Sequence, residues 1–334
     1  MIMKKLIVHV GPHKTGTTYI QGLLHKNREI LSSLSVSYPD VYYLYLGHHY
    51  LLNELNGRAE AYEIRSRILA AMNDAETCIL SSENFIFLSL FGLKKLKNAF
   101  PEVDFKFVIY SRRPSLRLIS RWHELVKQGS CQSMESYFVK HLFKPMKSRE
   151  VNVSHYIKDL INVYGEDSFR LVDYETASFE KNMMSCFLRA SEIEDIIEDN
   201  NIVVNKMTVL EEIEIIRMIN YTASKEEILR GSNVREKYYF LKENKEAFRV
   251  KTDELSKKIS LFSQEVTLGN AGFDTSVKQL LEKNYSDSFV NSLSPIREEK
   301  YRVPSTDWIM DTELRKKADN ISYEVIENFY DSTE

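Results

Sequence analysis

Short unbroken runs of aliphatic and β-branched residues alternate along this chain with longer stretches whose apolar positions recur at helical spacing. Leu6-Ile7-Val8-His9-Val10, Thr77-Cys78-Ile79-Leu80-Ser81, Phe105-Lys106-Phe107-Val108-Ile109-Tyr110 and Phe169-Arg170-Leu171-Val172-Asp173-Tyr174 read as strands. Between them, Ile20, Leu23, Leu24, Ile30 and Leu31 predict a first helix that fades near Leu34. Ala61, Ile64, Ile68, Leu69 and Met72 predict another over 58–73. Leu116, Ile119, His123 and Val126 mark a third, and Val153, Tyr156, Ile157, Leu160 and Ile161 a fourth, stopped by Gly165. The strands are too continuously apolar for a one-sided sheet. They predict an α/β architecture of three layers, with a central parallel sheet covered by helices on both faces.

The later chain reads differently. Leu210, Ile213, Ile216 and Ile219 suggest a helix, and 223–263 is rich in Lys and Glu around Tyr238-Tyr239-Phe240, a helical insertion at about 205–265. Val277, Leu280, Leu281 and Tyr285 mark one more helix. Tyr301 to Trp308 reads as irregular chain, and 311–330 as a last amphipathic helix.

Composition adds mainly exclusions. The 334 residues are 43% hydrophobic and 28% charged, enough to bury a sizeable core. A net charge of −3 argues against a broad surface for nucleic acid or anionic membrane. Cys78, Cys131 and Cys186 are too dispersed for a metal site, and their odd, sparse count suits a reducing compartment. The apolar run after Lys4-Lys5 ends at Val10, too short for a signal peptide, and no stretch approaches a membrane span. A cytoplasmic protein is the expectation.

The chemistry concentrates where strands end. The first strand runs through Gly11-Pro12-His13-Lys14-Thr15-Gly16-Thr17-Thr18 into a helix. Such a loop gathers backbone N–H groups and the positive end of a helix at one point, which is how chains hold phosphate. Lys14 adds a full charge. The usual P-loop places its lysine after the last glycine; here Lys14 precedes Gly16. The third strand ends in Ser111-Arg112-Arg113-Pro114, with Pro114 placed for a helix start and Ser120 eight positions beyond Arg112. A guanidinium offers phosphate a planar fork, and a hydroxyl a neutral donor.

Pro12-x-Lys14-x-Gly16-Thr17-Thr18 resembles the 5′-phosphosulfate loop of sulfotransferases that use 3′-phosphoadenosine 5′-phosphosulfate (PAPS). Arg112-x-Pro114 with Ser120 resembles their 3′-phosphate motif. The two motifs cover the first half of the chain, and the family implied is that of bacterial and heparan-type carbohydrate sulfotransferases. The resemblance implies a P-loop NTPase-like sulfotransferase fold, with one domain over 1–300 and a C-terminal helical extension over 301–334 packed on it. It implies PAPS as co-substrate, its 3′,5′-diphosphate (PAP) as product, and no metal. Pro12, His13, Lys14, Thr15, Gly16, Thr17 and Thr18 would hold the 5′ side, and Arg112 and Ser120 the 3′-phosphate. Asn205 is a weaker candidate near the nucleotide. A late Arg-Lys-Gly tripeptide found in cytosolic members is missing.

Glu83 follows the second strand, where ligands of open α/β sheets gather. From the residues alone it is either an acid near the start of the next helix or a base. The resemblance favours the base, taking the proton of an acceptor hydroxyl. His48 and His49, a surface pair on the bare reading, become alternatives by the same resemblance. Abundant Tyr (19) and Phe (17) and the family likeness favour a carbohydrate or glycoconjugate acceptor. The rivals are a P-loop kinase-like phosphotransferase using ATP and Mg²⁺, and a non-catalytic nucleotide- or glycan-binding module.

Overall fold

A computed structural model of the chain describes residues 3–198, 208–226, 231–268, 272–296 and 299–330. In chain order the elements are β1 (Lys5–Val10), α1 (Thr17–Lys26), α2 (Arg28–Ser33), β2 (Val36–Ser37), α3 (Leu51–Asn56), α4 (Ala61–Ala70), β3 (Thr77–Ser81), α5 (Leu90–Ala99) and β4 (Asp104–Ser111). There follow α6 (Pro114–Lys127), α7 (Met134–Leu142), α8 (Ser154–Tyr164), β5 (Phe169–Asp173), α9 (Tyr174–Phe179) and α10 (Met183–Ser191). The remainder is α11 (Leu210–Lys225), α12 (Gly231–Asn244), α13 (Glu246–Ser260), β6 (Ser263–Leu268), α14 (Gly272–Tyr285), β7 (Glu299–Pro304) and α15 (Thr312–Tyr330).

The described residues fall into two compact units. The first draws on Met1–Arg117, Lys144–Val204 and Gly272–Ile296, the second on Leu118–Phe143, Asn205–Ala271 and Arg297–Glu334.

The first unit is the predicted α/β body. Its sheet has five parallel strands in the order β2-β3-β1-β4-β5. β1 lies in the middle, with Leu6 opposite Cys78 on one side and Phe105 on the other. Both faces of the sheet are covered, which is why its strands carry apolar residues at nearly every position. On one face Ile7, Ile79, Val108 and Val172 pack with Leu23 and Leu24 of α1 and Phe187 of α10. On the other, Phe105 and Phe107 hold the ring of Tyr164 from α8, at centroid distances of 4.6 and 4.8 Å. β2, only two residues long, escapes a reading that needs a run of apolar positions.

The connection leaving β1 leads to the β2 edge, and that leaving β4 leads to the β5 edge. The two chain directions part between β1 and β4, and the carboxyl ends of these strands therefore open the crevice typical of ligand sites in such sheets.

The second unit contains α7, α11–α13 and α15, and the residues of α6 from Leu118 onward. Its buried centre includes Trp308, whose indole N–H donates to Glu214 Oε2 at 3.3 Å, while Arg217 binds the same carboxylate through two nitrogens at 2.9 and 2.8 Å. Residues 299–304, which overlap the Tyr301–Trp308 stretch read as irregular, form β7 and pair antiparallel with β6. The partner strand lies more than thirty residues earlier, beyond the reach of a local pattern. Among the described residues no helix is long and apolar enough to cross a membrane.

Phe107 is fully buried at the centre of β4. Its replacement by alanine is expected to lower the unfolding free energy by about 3–5 kcal/mol, read from the shift of a urea midpoint. A loss under about 1 kcal/mol would contradict the close packing of Phe107 against Tyr164.

Candidate active site

The loop between β1 and α1 is shaped by two glycines and a strained lysine. Gly16 caps α1 with φ +78°, a left-handed conformation, and a Cβ there would lie 2.3 Å from Met183 Cε. A Cβ on Gly11 would lie 2.3 Å from the Thr17 hydroxyl. Lys14 is itself left-handed, at φ +67°. A non-glycine residue in that region costs about 1–2 kcal/mol and is held there by its surroundings. The holding contacts are visible. Thr15 donates its hydroxyl to the Pro12 carbonyl at 2.7 Å, and Arg112 Nη1 donates to the Lys14 carbonyl. His13 sets its ring 6.2 Å from that of Phe87. Thr18 is exposed, whereas the buried Thr17 hydroxyl has no hydrogen-bond partner among the described residues. An unpaired buried donor beside the start of a ten-residue helix fits an anionic oxygen.

Arg112 leaves the tip of β4 and reaches the first loop through that one bond. Its guanidinium lies 4.8 Å over the ring of Tyr174, and its Nε, 3.8 Å from Glu175 Oε1, makes no hydrogen bond among the described residues. Glu175 also accepts the backbone N–H of Arg113, at 3.2 and 3.3 Å. Burial, and then repulsion from Asp173, push the Glu175 carboxyl from its usual 4.5 up to about 7. Farther out, buried Asp274 of α14 accepts the backbone N–H of Ser115 at 3.0 Å and the Ser115 hydroxyl, and lies 3.6 Å from Arg113 Nε. It thus caps the start of α6, a long-range contact with no local sequence signal.

Glu83 opens a short 3₁₀ turn over Glu83–Phe87, directly after β3. Its carboxylate keeps 24% exposure, 3.7 Å from His49 Nδ1 and 3.5 Å from the Gln21 amide nitrogen. His49 Nδ1 is hydrogen-bonded to Ser82 Oγ at 2.8 Å. Gln21 also donates to Ser81 Oγ at 3.2 Å, and Ser81 meets His9 Nδ1 at 2.8 Å. Burial drives His9 down to about 3. Arg149 clasps the far end of the turn, donating to the carbonyls of Ile86 and Leu88 at 2.8 Å each.

The two adjacent histidines therefore part company. His48 is wholly buried. Its Nδ1 accepts the Ser81 backbone N–H at 3.0 Å and its Nε2 bonds the Pro39 carbonyl at 2.9 Å, so both ring nitrogens brace backbone. Burial lowers it to about 4. His49 stands beside Glu83.

Of the residues singled out by motif, the loop and Arg112 meet at one crevice, and Glu83 and His49 meet at the neighbouring strand tip. Ser120 lies on α6 beyond Arg117, where the chain enters the second unit. Asn205 lies outside the described residues. Gln21 and Ser82 had no motif to betray them; a polar residue on the buried face of α1, and a serine just before Glu83, were the available signals.

No family model matches the chain, and no curated protein matches it in sequence. Among solved structures, a sulfotransferase from Alicyclobacillus acidocaldarius is similar, with a TM-score of 0.42 and 12% identity, covering 67% of this chain and 93% of that one. A likeness of that size assigns no activity.

Folding raises the proton affinity of the Glu175 carboxyl. The folded chain holds this proton more tightly than the unfolded one, so ionised Glu175 costs stability above about pH 7, and the cost fades as pH falls to about 4.5. Across that window the wild type is expected to gain stability relative to Glu175→Gln by on the order of 3 kcal/mol. Urea unfolding of both proteins at each pH measures this, and a pH-independent difference would refute it.

Proposed function

We propose that this chain is a sulfotransferase, moving the sulfuryl group of PAPS to a hydroxyl or amine of an acceptor, with a carbohydrate or glycoconjugate as the acceptor class. The observation that carries the reading is the bond from Arg112 to the Lys14 carbonyl. It joins two loops whose sequences resemble the 5′- and 3′-phosphate motifs of one nucleotide. The first loop and Arg112 lie at the same end of the same sheet, as a ligand phosphorylated at two positions requires.

On this reading the loop amides of residues 15–18, with the unpaired Thr17 hydroxyl, hold the 5′-phosphate. Lys14 neutralises charge growing on the bridging oxygen of the leaving diphosphate. Arg112 grips the 3′-phosphate; Tyr174 and Glu175 keep its plane oriented. Ser120 and Asn205 are assigned by motif alone. The acceptor oxygen attacks sulfur, its proton passes to Glu83 or His49, and the sulfur–oxygen bond to the 5′-phosphate breaks. Positioning and charge stabilisation supply most of the rate, as in phosphoryl transfer. The kinase reading fits less well, because Lys14 precedes Gly16 instead of following it.

Lys14→Ala is expected to lower kcat by about 10²–10³-fold with labelled PAPS and an acceptor panel. Full activity in that variant would remove the lysine from the leaving-group role. Arg112→Ala is expected to weaken binding of the 3′,5′-diphosphate roughly 10- to 100-fold, and that of adenosine 5′-phosphate by a clearly smaller factor, the part due to loosening of the Lys14 loop. Calorimetry reads both, and equal losses would reject the 3′ assignment. Thermal stabilisation by ATP–Mg²⁺ but not by the 3′,5′-diphosphate would favour the kinase.

A further inference from the structure

The hydrogen bonds around Ser82 decide which of two roles His49 can take. Ser82 is wholly buried, so no bulk water serves its hydroxyl. Its oxygen accepts the Asn84 backbone N–H at 3.1 Å, the bond that caps the 3₁₀ turn. The other polar partner is His49 Nδ1, at 2.8 Å. A buried hydroxyl places its single proton on an acceptor. Nδ1 is the acceptor within reach among the described residues. It therefore receives the Ser82 proton, and neutral His49 carries its own proton on Nε2. The Glu83 carboxylate, 3.7 Å from Nδ1, is beyond hydrogen-bond range and does not compete for that site.

Nε2 has no hydrogen-bond partner among the described residues. Gly47 packs against this edge: a Cβ there would fall 2.8 Å from His49 Nε2 and 2.6 Å from the Gln21 amide nitrogen, so its bare backbone is what lets both groups come this close. Two N–H-bearing groups thus converge on one bare backbone position, next to a carboxylate that keeps partial exposure.

We propose that His49 is a hydrogen-bond donor in the reaction and Glu83 is the base. The proposal rests on the sulfotransferase reading for its substrate and on Ser82 for its geometry. The Nε2–H of His49 donates to an oxygen of the transferring sulfuryl group. Donation to the acceptor oxygen would weaken the nucleophile, so the sulfuryl oxygen is the chemically sensible target. The acceptor O–H gives its proton to the Glu83 carboxylate, the new oxygen–sulfur bond forms, and the old one breaks with its electron pair leaving on the 5′-phosphate.

The tautomer is read directly, without substrate, from side-chain ¹⁵N–¹H correlations of the full chain at a pH where the ring is neutral. The His49 signals are assigned by their loss in His49→Gln. A proton on Nε2 is expected; a proton on Nδ1 would overturn the proposal. Ser82→Ala is expected to move the proton toward Nδ1, whereas Ser82→Thr keeps the wild-type pattern, and an unchanged tautomer in Ser82→Ala would also count against it. In transfer assays His49→Gln, which retains an N–H near the Nε2 position, is expected to keep kcat within about tenfold, and His49→Ala to lose about 10²-fold. Equal losses in the two variants would refute the donor role. Absence of any transfer from PAPS would refute the reaction itself, and the spectra would still judge the geometry.

Discussion

One hydrogen bond, from the guanidinium of Arg112 to the carbonyl of Lys14, joins the tips of two adjacent parallel strands. Much of the candidate site depends on it. It helps to hold Lys14 in a left-handed backbone that its side chain disfavours, and it brings a second fixed cation to the rim of the first loop. Both charges lie where the connections from β1 and β4 diverge to opposite edges of the sheet. The sheet makes this possible by its register: Val10 lies beside Ile109, so the loop after β1 and the residues after β4 emerge at nearly the same height.

Around this tie the structure buries charge in compensated sets. Glu175 sits between the Arg112 side chain and the Arg113 backbone, and Asp274 between Arg113 and Ser115. Burying these charges costs desolvation that their mutual attraction largely offsets, so the intact sets add little net stability, while removing one member leaves the other charge buried and uncompensated. Glu175 carries the strain of the arrangement, as its reluctance to ionise records. Tyr174 serves both sides, lying under the Arg112 guanidinium and 3.4 Å from where a Gly16 Cβ would be.

The neighbouring strand tip works through a row of hydrogen bonds that ends on a carboxylate. His9, Ser81, Gln21 and Glu83 form one connected row, and Ser82 links to His49 beside it. His48 braces the backbone from behind, and Arg149 secures the far end of the Glu83 turn. The partly exposed Glu83 carboxylate is flanked by an oriented imidazole and an amide, and each neighbour restricts its rotamers.

Residue order alone was enough to indicate the α/β class, the β1 loop, Arg112 at the end of β4 and Glu83 after β3. Each rests on a local pattern: a continuous apolar run, or polar groups placed just past it, follows from short-range sterics and burial and survives any arrangement of the rest. The division of labour between His48 and His49 did not follow, since neighbours in sequence differ only by which carbonyl, hydroxyl or amide the fold sets against each ring. Nor did the pairing of β6 with β7, or the cap that Asp274 places on α6, because their partners are separated by tens or more than a hundred residues and meet only when the chain is packed. Local periodicity specifies which segments are strands and helices; desolvation and long-range hydrogen bonding, present only in the folded chain, specify what each polar side chain can do.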